Sequence, residues 1–130
     1  PDHLDFVVNT FKNVEKLYLL HCVSSYPTFW KDTNVSILDE YMNLSLENSN
    51  VFFGYSSHDI GSIGSLLSVA KGAHMIEKHI KTGVTPWAHF DDTALDVDSS
   101  FPEFVREIRN AEIMLGDGIK RVLPSEHHKY

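Results

Sequence analysis

Two histidines stand at the ends of two short apolar runs, His58 closing residues 51–58 and His79 nearly closing residues 75–80. Residues 61–71 between them read as a helix, so the order is strand, helix, strand. Strands joined in that way are parallel and, as neighbours, lie about 4.8 Å apart, which carries two strand-end imidazoles to one rim. Two neutral imidazoles so placed can serve together as metal ligands. Each histidine taken alone reads as a strand cap bonded to nearby groups. The shared strand-end position is what points to a metal.

The elements that must position this pair are read from patterning. Leu4, Val7, Val8, Phe11 and Val14 recur at helical spacing, which predicts an opening amphipathic helix. Residues 17–23 are almost wholly apolar, as in a parallel strand covered on both faces, and Pro27 ends that stretch. A second helix is expected over about 35–46, entered through the capping residues Asp32, Thr33 and Asn34. Small residues Ser62, Ser65, Ser68 and Ala70 let the 61–71 helix pack closely, and Gly72 is its expected stop. Residues 81–99 form a long loop, of the kind that often carries function. Ser100 and Glu103 predict a capping box around Pro102, opening a helix whose apolar face is Phe101, Phe104, Val105, Ile108, Ala111 and Leu115, ending at Gly116. Repeated strand and helix pairs imply a parallel sheet with right-handed crossovers.

At 130 residues the chain is one domain by length and can bury a core. Its 18 acidic residues against 11 basic ones give a net charge of −7 and no basic cluster, which argues against nucleic acid as a partner. The positive partners of any anionic substrate must be local or come from elsewhere. The single cysteine, Cys22, excludes an internal disulfide and suits a reducing cytoplasm; it reads as a small buried hydrophobe. No signal peptide or membrane-length apolar run is visible, so a cytoplasmic chain without a membrane partner is expected. The first residue is Pro1, which reads as a piece of something longer.

Taken in order, Leu19-Leu20-His21-Cys22-Val23-Ser24-Ser25-Tyr26-Pro27-Thr28, Gly54-Tyr55-Ser56-Ser57-His58 and Ile76-Glu77-Lys78-His79 resemble the sialic acid synthase (N-acetylneuraminate synthase) family. Residues 104–116 and Leu123-Pro124-Ser125-Glu126 are similar to the next region of that family's chain. The resemblance covers nearly the whole sequence. It implies an α/β fold, a partial (β/α)8 TIM barrel in which residues 1–130 are a single domain supplying the sixth, seventh and eighth strands with their helices. A complete barrel needs about 250 residues. The family's earlier strands, with their phosphate-gripping lysines and a glutamate, have no counterpart here, nor does its C-terminal antifreeze-like domain.

By the same resemblance, the substrates are phosphoenolpyruvate and an N-acetylated aminosugar aldehyde of the N-acetylmannosamine type, and the metal is divalent, with Mn²⁺ expected. His58 and His79 would be its ligands, polarising the aldehyde for attack by C3 of phosphoenolpyruvate, with water adding at C2. Ser56 and Ser24 would contact phosphate. Tyr26 and Glu77 are the candidate catalytic residues. Tyr26 lies near the sugar pocket or is a packing anchor. Glu77 shares its direction with His79 by strand alternation, and either orients a histidine or water or is a buried carboxylate with a partner of its own. His21 reads as a satisfied core histidine.

Two positions depart from the family pattern. Ser57 stands where many relatives have aspartate before the histidine, and Phe90 stands where relatives have an aspartate in the loop after the eighth strand. His89, Asp91 and Asp92 are candidates to replace the latter, and another nonulosonic acid is an open alternative as product. A non-catalytic half-barrel that oligomerises through exposed edges, and a metal-dependent barrel aldolase or sugar isomerase, are the competing functions. A homo-oligomer is expected, because the strands beginning at Leu17 and Met75 would be apolar and unprotected edges.

Overall fold

The structure, a computed structural model, describes residues 2–129. An opening helix, α1 (Asp2–Thr10), leads into β1 (Leu17–Cys22), and 3-10 turns at Trp30–Asp32 and Val35–Ile37 run into α2 (Leu38–Glu47). Then come β2 (Val51–Ser57), α3 (Ile63–Ala70), β3 (Met75–Lys78), the short strands β4 (Ile80–Lys81) and β5 (Leu95–Asp96), and α4 (Ser100–Leu115). A last 3-10 segment covers Pro124–Lys129.

The fold is α/β with parallel strands. β1, β2 and β3 form one parallel sheet in that order, with Leu17 opposite Val51, Cys22 opposite Ser56, and Ser56 opposite Glu77. Strand side chains alternate between faces, so each strand divides into two sets. Leu19, Val51, Phe53 and Tyr55 face the helices and are buried; Val8 of α1 joins Leu19 and Val51 in one core cluster, with Leu4, Val7, Leu17, Tyr41 and Leu44 packed around it. This is the hydrophobic term that holds the sheet to its helices. The other face carries Tyr18, Phe52, Met75, Cys22, Ser56 and Glu77. Tyr18 stacks on Phe52 at 5.2 Å between ring centroids, yet Tyr18 and Met75 remain 40% and 38% exposed. Gly54 belongs to this face for a steric reason: a Cβ there would collide with the Met75 carbonyl oxygen. No helix among the described residues is long and apolar enough to cross a membrane.

Several expectations need correction. The strand expected over 75–80 breaks at His79, because the chain changes partner there: Leu95 N donates to His79 O at 2.8 Å, and Ile80–Lys81 pairs with β5 in a separate two-stranded sheet. Asp32, Thr33 and Asn34 do not cap α2; a 3-10 turn precedes it, Thr33 Oγ1 donates back to Trp30 O at 2.6 Å, and Asn34 sits at φ 44°. The Ser100–Glu103 box does not form. Ser99 is the N-cap residue without a side-chain cap bond, and the hydroxyls of Ser99 and Ser100 bond to Asp96 instead, while Glu103 pairs with Arg106. Cys22 is exposed, since its register opposite Ser56 puts it on the bare face.

Candidate metal centre

The site is assembled where β2 and β3 end. Ser56 and Glu77 are register partners on the bare face, and Ser56 Oγ donates to Glu77 Oε2 at 2.5 Å. One residue past β2, the His58 ring turns under the end of β1 and is 5% exposed. Its Nδ1 lies 2.9 Å from Val23 O. A carbonyl oxygen only accepts, so Nδ1 carries the proton and Nε2 of the neutral ring presents its lone pair to the site. That is the usual arrangement of a metal-binding histidine, whose second nitrogen donates to a carbonyl or carboxylate. The backbone is held as well, by Thr28 N donating to His58 O at 2.9 Å.

His79 lies at the break between β3 and β4. Its Nε2 is 4.0 Å from Glu77 Oε1, and its Nδ1 is buried with no hydrogen-bond partner. Buried polar atoms are rarely left so. One ligand atom from each of His58, Glu77 and His79 can be chosen so that all lie within 4.8 Å of one another. Two imidazole nitrogens and a carboxylate oxygen are a donor set for a first-row divalent metal that keeps positions open for other ligands. The orphaned His79 nitrogen and the unprotonated Nε2 of His58, approached by Tyr26 Oη at 3.2 Å and Ser56 Oγ at 3.4 Å, fit such an ion.

Aromatic rings wall this group. Tyr26 packs on His58 with ring centroids 4.3 Å apart and on His79 at 5.6 Å, and Tyr26 Oη lies 3.2 Å from His58 Nε2. Burial, with negative charge from Cys22 and Glu77 adding to it, pushes the Tyr26 phenol above its usual range, so it is a neutral donor near neutral pH. The 81–99 loop closes one side: His89 meets Tyr26 edge-on at 4.7 Å and Phe90 meets His79 edge-on at 4.6 Å.

Other candidates fall outside the cluster. Ser24 is exposed, and its hydroxyl lies 3.8 Å from Cys22 Sγ. Asp91 is engaged elsewhere: Lys81 Nζ pairs with it at 2.8 Å, and the Thr85 amide and hydroxyl donate to it, which holds its carboxyl down at about 2. It staples the loop. Asp92 is exposed. His21 is satisfied as expected, with Nε2 2.7 Å from Thr33 O and its ring beside Tyr55 and Tyr41.

Sequence patterning does not single out Asp59. Fully buried, it accepts from Tyr55 Oη at 2.9 Å, Ser57 Oγ at 2.7 Å and Gly64 N at 3.3 Å. A carboxylate beside a strand-end histidine, two residues from a strand serine, was the available signal.

Comparison with known proteins gives this geometry a setting. Residues 2–120 match the NeuB family. The chain is 36% identical over 107 residues to the human N-acetylneuraminate-9-phosphate synthase, covering 82% of this chain and 29% of that protein. It is 37% identical over 102 residues to a pseudaminic acid synthase of Campylobacter jejuni, covering 78% of this chain and 28% of that one. Its structure superimposes with a TM-score of 0.75 on the crystal structure of the N-acetylneuraminic acid (sialic acid) synthetase of Leptospira borgpetersenii in complex with citrate, at 31% identity over 98% of this chain and 44% of that one. The chain thus spans less than half the length of each.

Proposed function

Because the chain belongs to the NeuB family, we propose that it forms part of the active-site rim of a transferase that condenses phosphoenolpyruvate with an N-acetylated aminosugar aldehyde to give a nonulosonic acid. On this reading β1, β2 and β3 are the sixth, seventh and eighth strands of a (β/α)8 barrel, and the histidine pair lies at the C-terminal rim where such barrels keep their sites. The observation that carries the reading is the convergence of His58, Glu77 and His79 at those strand ends. The relatives make different nonulosonic acids by name, sialic and pseudaminic among them, so the proposal names the product class and not one sugar.

The roles derive from the contacts. A divalent metal of the Mn²⁺ type, held by His58, His79 and Glu77, would supply Lewis-acid polarisation of the aldehyde oxygen. The Nδ1 proton of His58, given to Val23 O, keeps Nε2 unprotonated and aimed into the site. Tyr26 covers both imidazoles and offers a neutral O–H to an oxygen of the acceptor sugar. Ser56 Oγ donates to Glu77 here, and turning that one proton to a phosphate oxygen would give it the phosphate-contacting role, with Ser24 as a second hydroxyl past the end of β1. Glu77, its Oε2 held by Ser56 and its Oε1 4.0 Å from His79 Nε2, would serve as the carboxylate ligand and orient His79. Lys78 serves the other face and offers no charge to the phosphate from this side.

The test is a calorimetric Mn²⁺ titration of the chain and of its His58→Ala and His79→Ala variants. Each variant is expected to lose at least about tenfold in affinity, a change of about 1.4 kcal/mol. Unchanged affinity in both contradicts the assignment.

A further inference from the structure

Behind the histidine pair, on the helix-covered face of β2 and β3, lies a closed set of polar contacts that the proposed chemistry does not use. Asp59 follows His58 in the chain, and Lys78 precedes His79. Lys78 Nζ donates to Asp59 O at 2.7 Å and to Ser57 Oγ at 2.8 Å, and Ser57 Oγ donates onward to Asp59 Oδ1 at 2.7 Å. Tyr55 Oη and Gly64 N complete the carboxylate's partners. Ser57, Tyr55 and Asp59 are at most 1% exposed. The fit leaves no room: a Cβ on Gly64 would lie 2.9 Å from Asp59 Oδ2.

We propose that Asp59 and Lys78 are positioning residues that set the spacing of His58 and His79, a role that rests on reading those histidines as ligands. β3 ends at Lys78, and His79 lies beyond it, where the chain has already turned to a different sheet. The sheet register therefore does not extend to His79. The Lys78 ammonium, reaching from the residue before one histidine to the residues flanking the other, supplies the cross-strand tie at that level. Asp59 anchors the receiving end to the start of α3 through Gly64. A network with every member partnered is rigid, and one with a member removed leaves buried groups unpaired.

The test compares the chain with Asp59→Asn, Lys78→Met and the double variant Asp59→Asn/Ser57→Asp, which returns a carboxylate in front of Lys78. Mn²⁺ affinity is measured calorimetrically well below each unfolding midpoint. Loss of a partner behind a metal ligand typically weakens binding about tenfold or more, so each single variant is expected to bind about tenfold more weakly, with the double variant recovering most of the loss. Full affinity in folded single variants, with only the midpoint lowered, overturns the proposal and leaves the network a folding device. If Asp59→Asn does not fold, Lys78→Met decides alone. If the parent chain binds no Mn²⁺, the metal reading fails separately. The positioning role is then decided in metal-free protein by imidazole ¹⁵N spectra, recorded at one and the same pH for the parent chain and the variants. A His58 ring that leaves its Nδ1–H form in the variants supports the role, and an unchanged ring overturns it.

Discussion

The ends of β2 and β3 carry two polar clusters, one on each face of the sheet, and they are built to opposite standards. On the helix face, Asp59 has three donors, Ser57 both gives and receives a hydrogen bond, and Lys78 is held by two oxygens within 2.8 Å. On the bare face, His79 Nδ1 is buried without a partner, Glu77 Oε1 is 4.0 Å from the nearest imidazole nitrogen, and Tyr26 and Ser56 both crowd the His58 lone pair. Adjacent residues alternate between the two, Ser56 with Ser57 and Glu77 with Lys78. A satisfied buried network specifies structure, whereas an under-satisfied one calls for a further explanation, which the proposed metal would supply. The period of two lets one strand end do both.

The contrast between the faces is most vulnerable at Asp59. Asp59→Ala removes the acceptor of three buried or half-buried donors, and the expected cost is about 3 kcal/mol in urea unfolding. A loss under about 0.5 kcal/mol, the size of an ordinary surface change, would mean that the helix-face cluster is not structural. Burial depresses the Lys78 ammonium pKa, with Asp59 and Glu77 opposing that shift. Removing the Asp59 charge therefore lowers it further, so that a larger share of Lys78 is neutral in the alkaline range.

The other face should respond the opposite way. Glu77→Gln is expected to weaken Mn²⁺ binding about tenfold, about 1.4 kcal/mol, while leaving the metal-free unfolding midpoint within error, because Glu77 is half-exposed and serves the fold only through Ser56. A large fall in the metal-free midpoint would erase the distinction between the faces.

How much of this was legible in the sequence depends on the range of the cause. The strands at 17–22 and 51–57 are apolar and bounded by turn residues, so composition alone locates them. The histidine pair was legible for the same reason, since strand ends place it. The break at His79 was not, because it depends on β5 arriving from 15 residues downstream of β4, at Leu95 opposite Ile80. Nor were the caps. Ser99 and Ser100 have the right chemistry for a helix start, but Asp96 engages both hydroxyls, its carboxylate accepting from Ser99 Oγ and its amide donating to Ser100 Oγ, a competition that only the folded loop reveals. Asp59 escaped notice because its meaning lies in Tyr55, Gly64 and Lys78 converging on one point, which periodicity does not report. Asp91 had the composition of a site residue and is a loop staple, since Lys81 reaches it first.

The bare face yields a weaker, concentration-dependent effect. With Tyr18 and Met75 of the two edge strands 40% and 38% exposed, self-association is expected, and Tyr18→Lys should shift it toward the 14.8 kDa monomer in light scattering behind size exclusion. A stable parent monomer at about 100 μM, where contacts worth about 5 kcal/mol are substantially occupied, would mean that this face needs no cover.

The smallest effect concerns the loop that walls the site. Asp91 has its carboxyl held at about 2 by the hydrogen bonds of Lys81 and Thr85, below the ordinary value of about 3.9. A depressed carboxylate contributes stability above the unfolded value and loses it as pH falls through the folded one. The loop should therefore hold above about pH 4 and loosen toward pH 2, seen as a change in Trp87 emission that Asp91→Asn shows already at neutral pH. Trp87 emission indifferent to both would separate the staple from the loop.

Everything proposed for the bare face depends on His58, Glu77 and His79 forming one metal centre, and anomalous diffraction at the manganese edge from crystals grown with Mn²⁺ decides that point. The expected result is a single strong peak within bonding distance of His58 Nε2, a Glu77 carboxylate oxygen and a His79 ring nitrogen. A map without a peak there at saturating metal, or with its strongest peak on another carboxylate cluster, would contradict it.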